Sequence, residues 1–228
     1  MLWAADPAKG IGVFSAFHME DEHLKTFFHT NPDPIGSSIT AVPDGPYPAV
    51  WRFLKMAGDA RNEAYGWTGN KPPTIGQTYY LGWRFKVDKT VNEQSLFQWK
   101  SLSPDATHPM TQNHPFMMKF YNGELHFTYY KPGDISQDLW SRVVPANQWN
   151  SMVVGIHVDD AEFGGWLQFW WNGVPQDLAG GGTQFPCRTF DSRGVIPKWG
   201  VYGANKTTMS LYIHALKMGT AFEAVDPR

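Results

Sequence analysis

At 228 residues, with 42% hydrophobic, 15% aromatic and 18% charged residues and a formal net charge of −2, the chain can fill one sizeable core, and we expect a single domain over residues 1–228. Near-neutral charge without a basic run excludes duplex nucleic acid as a partner, and no apolar run approaches the ~20 residues that cross a bilayer. The single cysteine, Cys187, excludes an internal disulfide and reads as a small buried hydrophobe.

The N-terminal MLWAADPAKG lacks the charged start, long apolar stretch and cleavage site of a signal peptide. The chain is therefore either cytoplasmic or, as we expect, a secreted or periplasmic protein whose signal lies outside this sequence. From there, apolar and polar residues alternate with the period of two that marks half-buried strands. The first run is IGVFSAF (11–17), followed by a short helix candidate near 20–27 and by AVWRFLKM (49–56). In TYYLGWRFKVD, Tyr79, Leu81, Trp83, Phe85 and Val87 share one face and Tyr80, Arg84, Lys86 and Asp88 the other. SLFQWKS (95–101), FMMKFY (116–121) and LHFTYY (125–130) come next, then a second helix candidate around 134–140. WNSMVVGIHVD (149–159), GWLQFWWNG (165–173), KWGVYGA (198–204) and MSLYIHALKM (209–218) complete the series. Turn signals separate the runs: PDGPYP, GNKPP, YNGE, KPGD and AGGG. Asn122-Gly123 between two alternating runs predicts a tight hairpin over 116–130. Around ten short strands with almost no helical periodicity give an all-β sandwich or jelly roll with two antiparallel sheets.

Several strands carry reactive side chains on their polar face. If Phe97 and Trp99 are core, Gln98 and Lys100 stand side by side on the other face; a solvated outer face is the plain alternative. Lys119 and Tyr121 repeat the arrangement opposite Phe116, Met118 and Phe120. GDARNEAYG (58–66) adds Arg61, Glu63 and Tyr65, where an Arg61–Glu63 ion pair is the structural alternative. In PKWGVYGANK (197–206), Tyr202 lies between Gly200 and Gly203, and glycine in a strand marks a bend or a close approach by a ligand.

These groups suit β-elimination at a uronic acid. Removing the weakly acidic C5 proton becomes feasible when the adjacent carboxylate is neutralised by hydrogen bonds or a cation, which Gln98 with Lys100 or Arg61 can supply. A phenol can both take that proton and protonate the leaving oxygen, which makes Tyr202 the acid/base candidate. His114, in the loop SPDATHPMTQNHPF, could reach the site as a base or be a solvated loop residue. His18, His23, His29, His126, His157 and His214 offer no coherent cluster, and no zinc-ligand spacing is present.

The stretch NQWNSMVVGIHVDDAEFGGWLQFWWNGVPQ with PKWGVYGANK, together with GDARNEAYG and LFQWK, resembles the jelly-roll polysaccharide lyases of the heparin lyase I-like group, nearest the glucuronan lyases of polysaccharide lyase family 20. The resemblance implies a concanavalin A-like β-jelly roll with a concave substrate groove. It also implies that Tyr202 is the catalytic acid or base, Gln98 a carboxylate neutraliser and Arg61 a substrate contact. Asn205 stands where related alginate lyases keep an amide, and Lys206, Lys119, Tyr121 and His114 are further substrate-binding candidates. Lys100 and Tyr65 occupy places where relatives have histidine, so Tyr202 does both proton transfers or Tyr65, Lys100 or a histidine from elsewhere is the base. The expected partner is an acidic polysaccharide bound by a monomer: glucuronan first, then alginate or a glycosaminoglycan. No cofactor is required for the chemistry; a structural Ca2+ is compatible with the resemblance, although no ligand series identifies its site.

Hydrolysis would need two carboxylates roughly 5 to 9.5 Å apart across the scissile bond. The dense acidic run Glu20-Asp21-Glu22 lies outside the groove strands. The competing reading is a non-catalytic, lectin-like protein, whose groove would display the same aromatic, amide and cationic side chains. Gln98 together with Tyr202 favours the lyase.

Overall fold

The computed structural model describes residues 1–20, 27–29, 36–66 and 72–228. Among them the alternating runs become strands, in chain order β1 (Trp3–Ala4), β2 (Ala16–Glu20), β3 (Phe27–His29), β4 (Ser38–Asp44), β5 (Tyr47–Lys55), β6 (Arg61–Tyr65), β7 (Thr78–Val87), β8 (Gln94–Ser101) and β9 (Phe116–Tyr121). They continue as β10 (Glu124–Lys131), β11 (Ile135–Val143), β12 (Asn150–His157), β13 (Gly165–Trp171), β14 (Val174–Pro175), β15 (Gln184–Cys187), β16 (Val195–Tyr202) and β17 (Met209–Gly219). One antiparallel sheet runs β14-β13-β12-β7-β17-β5-β4, with β1 on β17 and β15 on β13. The other runs β11-β10-β9-β8-β16-β6-β2-β3. This is the expected two-sheet jelly-roll sandwich.

The sheets meet through the apolar face of each strand. Trp83 of β7 lies 5.2 Å from Phe97 of β8, and Phe127 of β10 lies 5.2 Å from Phe169 of β13, ring centre to ring centre across the interface. Trp3, Trp51, Trp83, Trp99, Trp171 and Trp199 are all buried, so much of the tryptophan surplus fills the interior. Cys187 is 1% exposed and burial pushes its thiol well above the usual range, as expected of an inert core cysteine.

The YNGE turn forms as predicted. Asn122 and Gly123 take φ of 49° and 82°, and Tyr121 pairs with Glu124 across the hairpin. Residues 134–140 are not helical: Asp134 closes the turn and residues 135–140 belong to β11, an edge strand paired with β10, where a register shift between Phe127 and Thr128 absorbs one residue of mismatch. Most residues of β11 face water on this edge, and only Gln137, Leu139 and Trp140 break the exposed pattern. Part of IGVFSAF is also not strand, because Ile11–Val13 form a 3₁₀ turn after Gly10, whose φ is 73°. Of the helix candidate near 20–27, Glu20 ends β2 and Phe27 begins β3, while residues 21–26, with most of the acidic run, lie outside the described residues.

Gly200 and Gly203 are explained by backbone. A Cβ on Gly200, whose φ is 149°, would fall 2.3 Å from the Asn62 carbonyl oxygen, and one on Gly203, whose φ is 87°, 1.9 Å from the Glu93 carbonyl oxygen. Between them the pairing of β16 with β8 shifts register. The glycines thus let β16 bend between its neighbours and clear no space for a ligand. Gly203→Ala is expected to cost about 3 kcal/mol or more, read as a lower denaturant midpoint at unchanged slope.

Candidate active site

Antiparallel pairing places the reactive residues on one face. On β16, Lys198 lies opposite Gln98 of β8 and Tyr65 of β6, Gly200 opposite Glu63, and Tyr202 opposite Arg61. On β2, His18 lies opposite Glu63. Since their neighbours Phe97, Trp99, Trp199 and Val201 are buried in the core, these side chains project from the other face of the sheet.

Glu63, 2% exposed, is the hub. Its Oε1 accepts from Gln98 Nε2 at 2.7 Å, and its Oε2 accepts from Lys198 Nζ at 2.7 Å and from Arg61 Nη1 at 3.4 Å. The Arg61 guanidinium lies over the Tyr202 ring, 3.8 Å from its centre. Gln98 and Tyr202 therefore share a face on neighbouring strands, joined through Glu63 and Arg61. The Arg61–Glu63 ion pair read from the sequence exists, and it belongs to this larger network.

His18, which the sequence left outside any histidine cluster, joins this network. Its Nδ1 lies 3.1 Å from both Arg61 Nη1 and Lys198 Nζ. Both partners are donors only, so Nδ1 accepts and the neutral ring carries its proton on Nε2. Burial first, then the charges of Lys198 and Arg61, push its pKa down to about 2. With its acceptor nitrogen engaged, His18 is not placed to act as a general base.

The other base candidates differ in state. Burial holds the Tyr65 phenol above its usual value, and the Lys198 ammonium lies 5.8 Å from its ring centre. Burial, then Lys198, pushes Lys100 down to about 8, while its ammonium donates to the Asn113 carbonyl at 3.0 Å and also to the Asn113 side-chain oxygen. His114 packs edge-on against Tyr130 at 4.5 Å, and burial, then Lys100, pushes it down to about 4, so it is neutral at pH 7.

Beside the cluster a pocket of about 210 Å³ is lined by His18, Tyr65, Lys100, Lys198, Ile196 and the 101–104 loop with Met110. Further along the same face, Lys119 sits 5.6 Å from the ring centre of Tyr121, which is exposed at the hairpin end. Asn205 and Lys206 are not drawn into the cluster; both are exposed in the turn after β16, where the Asn205 carbonyl accepts from Gly58 N–H at 2.8 Å. Lys198 and His18 are the residues that sequence reasoning missed. Lys198 shares the alternation of Gly200 and Tyr202 and was legible from it; His18 is placed only by the pairing of β2 with β6. Among the described residues no group of three or more His, Cys, Asp or Glu side chains is arranged to hold a metal ion.

Solved structures share the fold. Family 7 alginate lyase A1-II′ in complex with its substrate GGMG aligns with 12% identity over 96% of this chain and 97% of its own, at a TM-score of 0.60. Alginate lyase AlyC3 in complex with dimannuronate aligns with 13% identity over 95% and 94%, at 0.61. The binding domain of botulinum neurotoxin DC aligns with 8% identity and a TM-score of 0.52 over 90% of this chain, which spans about half of that structure's length, 47%. No curated protein sequence matches the chain. A sequence profile described as polysaccharide lyase matches residues 15–217, nearly the whole sandwich and every residue of the cluster, and the chain belongs to the polysaccharide lyase family.

Proposed function

We propose that this lyase cleaves a β-1,4-linked polyuronate by β-elimination, endo-wise, with glucuronan as the first substrate. The observation that carries the reading is the shared face of Tyr202 and Gln98, set among Arg61, Lys100 and Lys198, whose charges outweigh that of Glu63. A uronate carboxylate placed there is neutralised by these cations and by the second N–H of Gln98, so negative charge developing on it as the C5 proton leaves is stabilised. The electrons of the C5–H bond form the C4–C5 double bond, the C4–O bond breaks, and the departing oxygen takes a proton.

In 4-linked D-glucuronate and D-mannuronate the C5 proton and the C4 oxygen lie on the same side of the ring. One phenol, Tyr202, can therefore take the first and protonate the second, returning unchanged. The sequence resemblance to glucuronan lyases ranks glucuronan ahead; the alginate lyases among the structural neighbours make mannuronan the next choice.

The test is incubation with glucuronan, mannuronan, guluronan and a glycosaminoglycan while following the ultraviolet absorbance of the unsaturated product. A rise with glucuronan is expected. A rise with mannuronan alone would move the substrate, and binding without any rise would make the protein a lectin-like binder on a lyase fold.

Lys100 gives the reaction a pH signature. Its pKa of about 8 lies below the ordinary lysine value, so its positive charge is present below that pH and lost above it. KM for an anionic substrate should rise as pH increases through about 8. Lys100→Arg, charged throughout, should keep KM flat over the same range. An unchanged rise in the arginine variant would assign the titration to another group.

A further inference from the structure

On β5 the inward row runs Trp51, Phe53, Lys55, and the lysine is as buried as the phenylalanine, both 0% exposed. Its ammonium is met by main-chain carbonyls: Asp59 at 2.9 Å, Ala204 and Thr207 at 3.2 Å each, and Met56 at 3.3 Å. Three N–H groups serve four oxygens, so at least one hydrogen is shared. A cage of carbonyl oxygens is the environment in which proteins hold hard cations, and here a tethered ammonium supplies the charge.

The four carbonyls belong to two connections. Met56 and Asp59 lie between β5 and β6, Ala204 and Thr207 between β16 and β17, and both connections pass from one sheet to the other. Arg61 is the first residue of β6 and Tyr202 the last of β16, and they are cross-strand partners. Past this pair the strands end. The connections are then joined by Gly203 N–H to Ala60 O at 2.8 Å, by Gly58 N–H to Asn205 O at 2.8 Å, and by the Lys55 cage.

We propose that Lys55 is a positioning residue for the Arg61–Tyr202 pair, its ammonium acting as a built-in structural cation that the carbonyls of Met56, Asp59, Ala204 and Thr207 enclose. Its effect on turnover rests on the lyase reading; its effect on the two connections does not.

The experiment compares wild type, Lys55→Met and Lys55→Ala by polyuronate turnover and by hydrogen exchange at the Gly58 and Gly203 amides. Misplacing the Arg61–Tyr202 pair by a fraction of an ångström should lower kcat about 10- to 100-fold and raise KM with it, because Arg61 is one of the cations facing the sugar carboxylate. Exchange at Gly58 and Gly203 should quicken, while amides of the central strand β12 stay protected. Propylammonium, which can refill the cage of Lys55→Ala, should restore both properties, and tetramethylammonium at equal ionic strength, which has no N–H, should not. If Lys55→Ala folds only with propylammonium, a rise in its unfolding midpoint with that ion alone reads the same cage. Wild-type exchange at both glycines in the variants, or no selective rescue, would overturn the proposal. Quickened exchange with rescue, in a protein whose wild type cleaves no polyuronate, would uphold the cage and sink the lyase reading instead.

Discussion

Tyr202→Phe should lower kcat on the preferred polyuronate by about a thousandfold and leave KM within about threefold. Only the hydroxyl is removed. The ring that lies under the Arg61 guanidinium at 3.8 Å remains, so the electrostatics that seat the sugar carboxylate persist. The loss should therefore fall on proton transfer. Unchanged turnover would take the acid/base role away from Tyr202 and hand it to Lys100 or His114, whose pH profiles differ. Lys100 as base would need alkaline pH to lose its proton, whereas His114, pushed down to about 4, is neutral across the whole neutral range. A fall in both kcat and affinity would instead point to a repositioned Arg61.

Glu63→Gln should destabilise the fold by about 3–5 kcal/mol, read as a lower midpoint of denaturant unfolding. The carboxylate lies between Lys198, 4% exposed, and Arg61, and accepts from both as well as from Gln98. Glutamine keeps the shape but not the charge, so buried Lys198 and partly buried Arg61 lose the anion set between them while their repulsion remains. Activity should fall as well, because the same hydrogen bond orients Gln98. A loss under about 0.5 kcal/mol would mean that water or another group screens these cations, and that Glu63 is not the hub of the site.

The sandwich was legible because period-two alternation is a local property. The burial of Tyr79, Leu81, Trp83, Phe85 and Val87 on β7, with Tyr80, Arg84 and Lys86 partly exposed, follows directly from it. The outward pairing of Gln98 with Lys100 followed in the same way, as did Arg61, Glu63 and Tyr65 on β6. β11 was misread because an edge strand facing water lacks the apolar row that announces its period. His18 was missed for a different reason. It reaches Lys198 only through β6, and alternation carries no information on which strands pair or in which register. Asn205 and Lys206 stand apart from the cluster because the bend at Gly200 and Gly203 turns the chain away from the sheet just where motif likeness would continue it. Lys55 was not singled out from the sequence, although it stands in the inward register of Trp51 and Phe53: the carbonyls of Ala204 and Thr207 that meet it lie about 150 positions away, and no local pattern joins them.

The sealed thiol at Cys187 makes the protein convenient for labelling. With no second cysteine in the chain, a maleimide dye should leave the native molecule unreacted, and a cysteine introduced at exposed Lys206 would be a unique attachment point. A fluorophore there would sit four positions past Tyr202, in the turn after β16 and outside the charged cluster, and a change in its emission on adding a polyuronate would report binding close to that cluster.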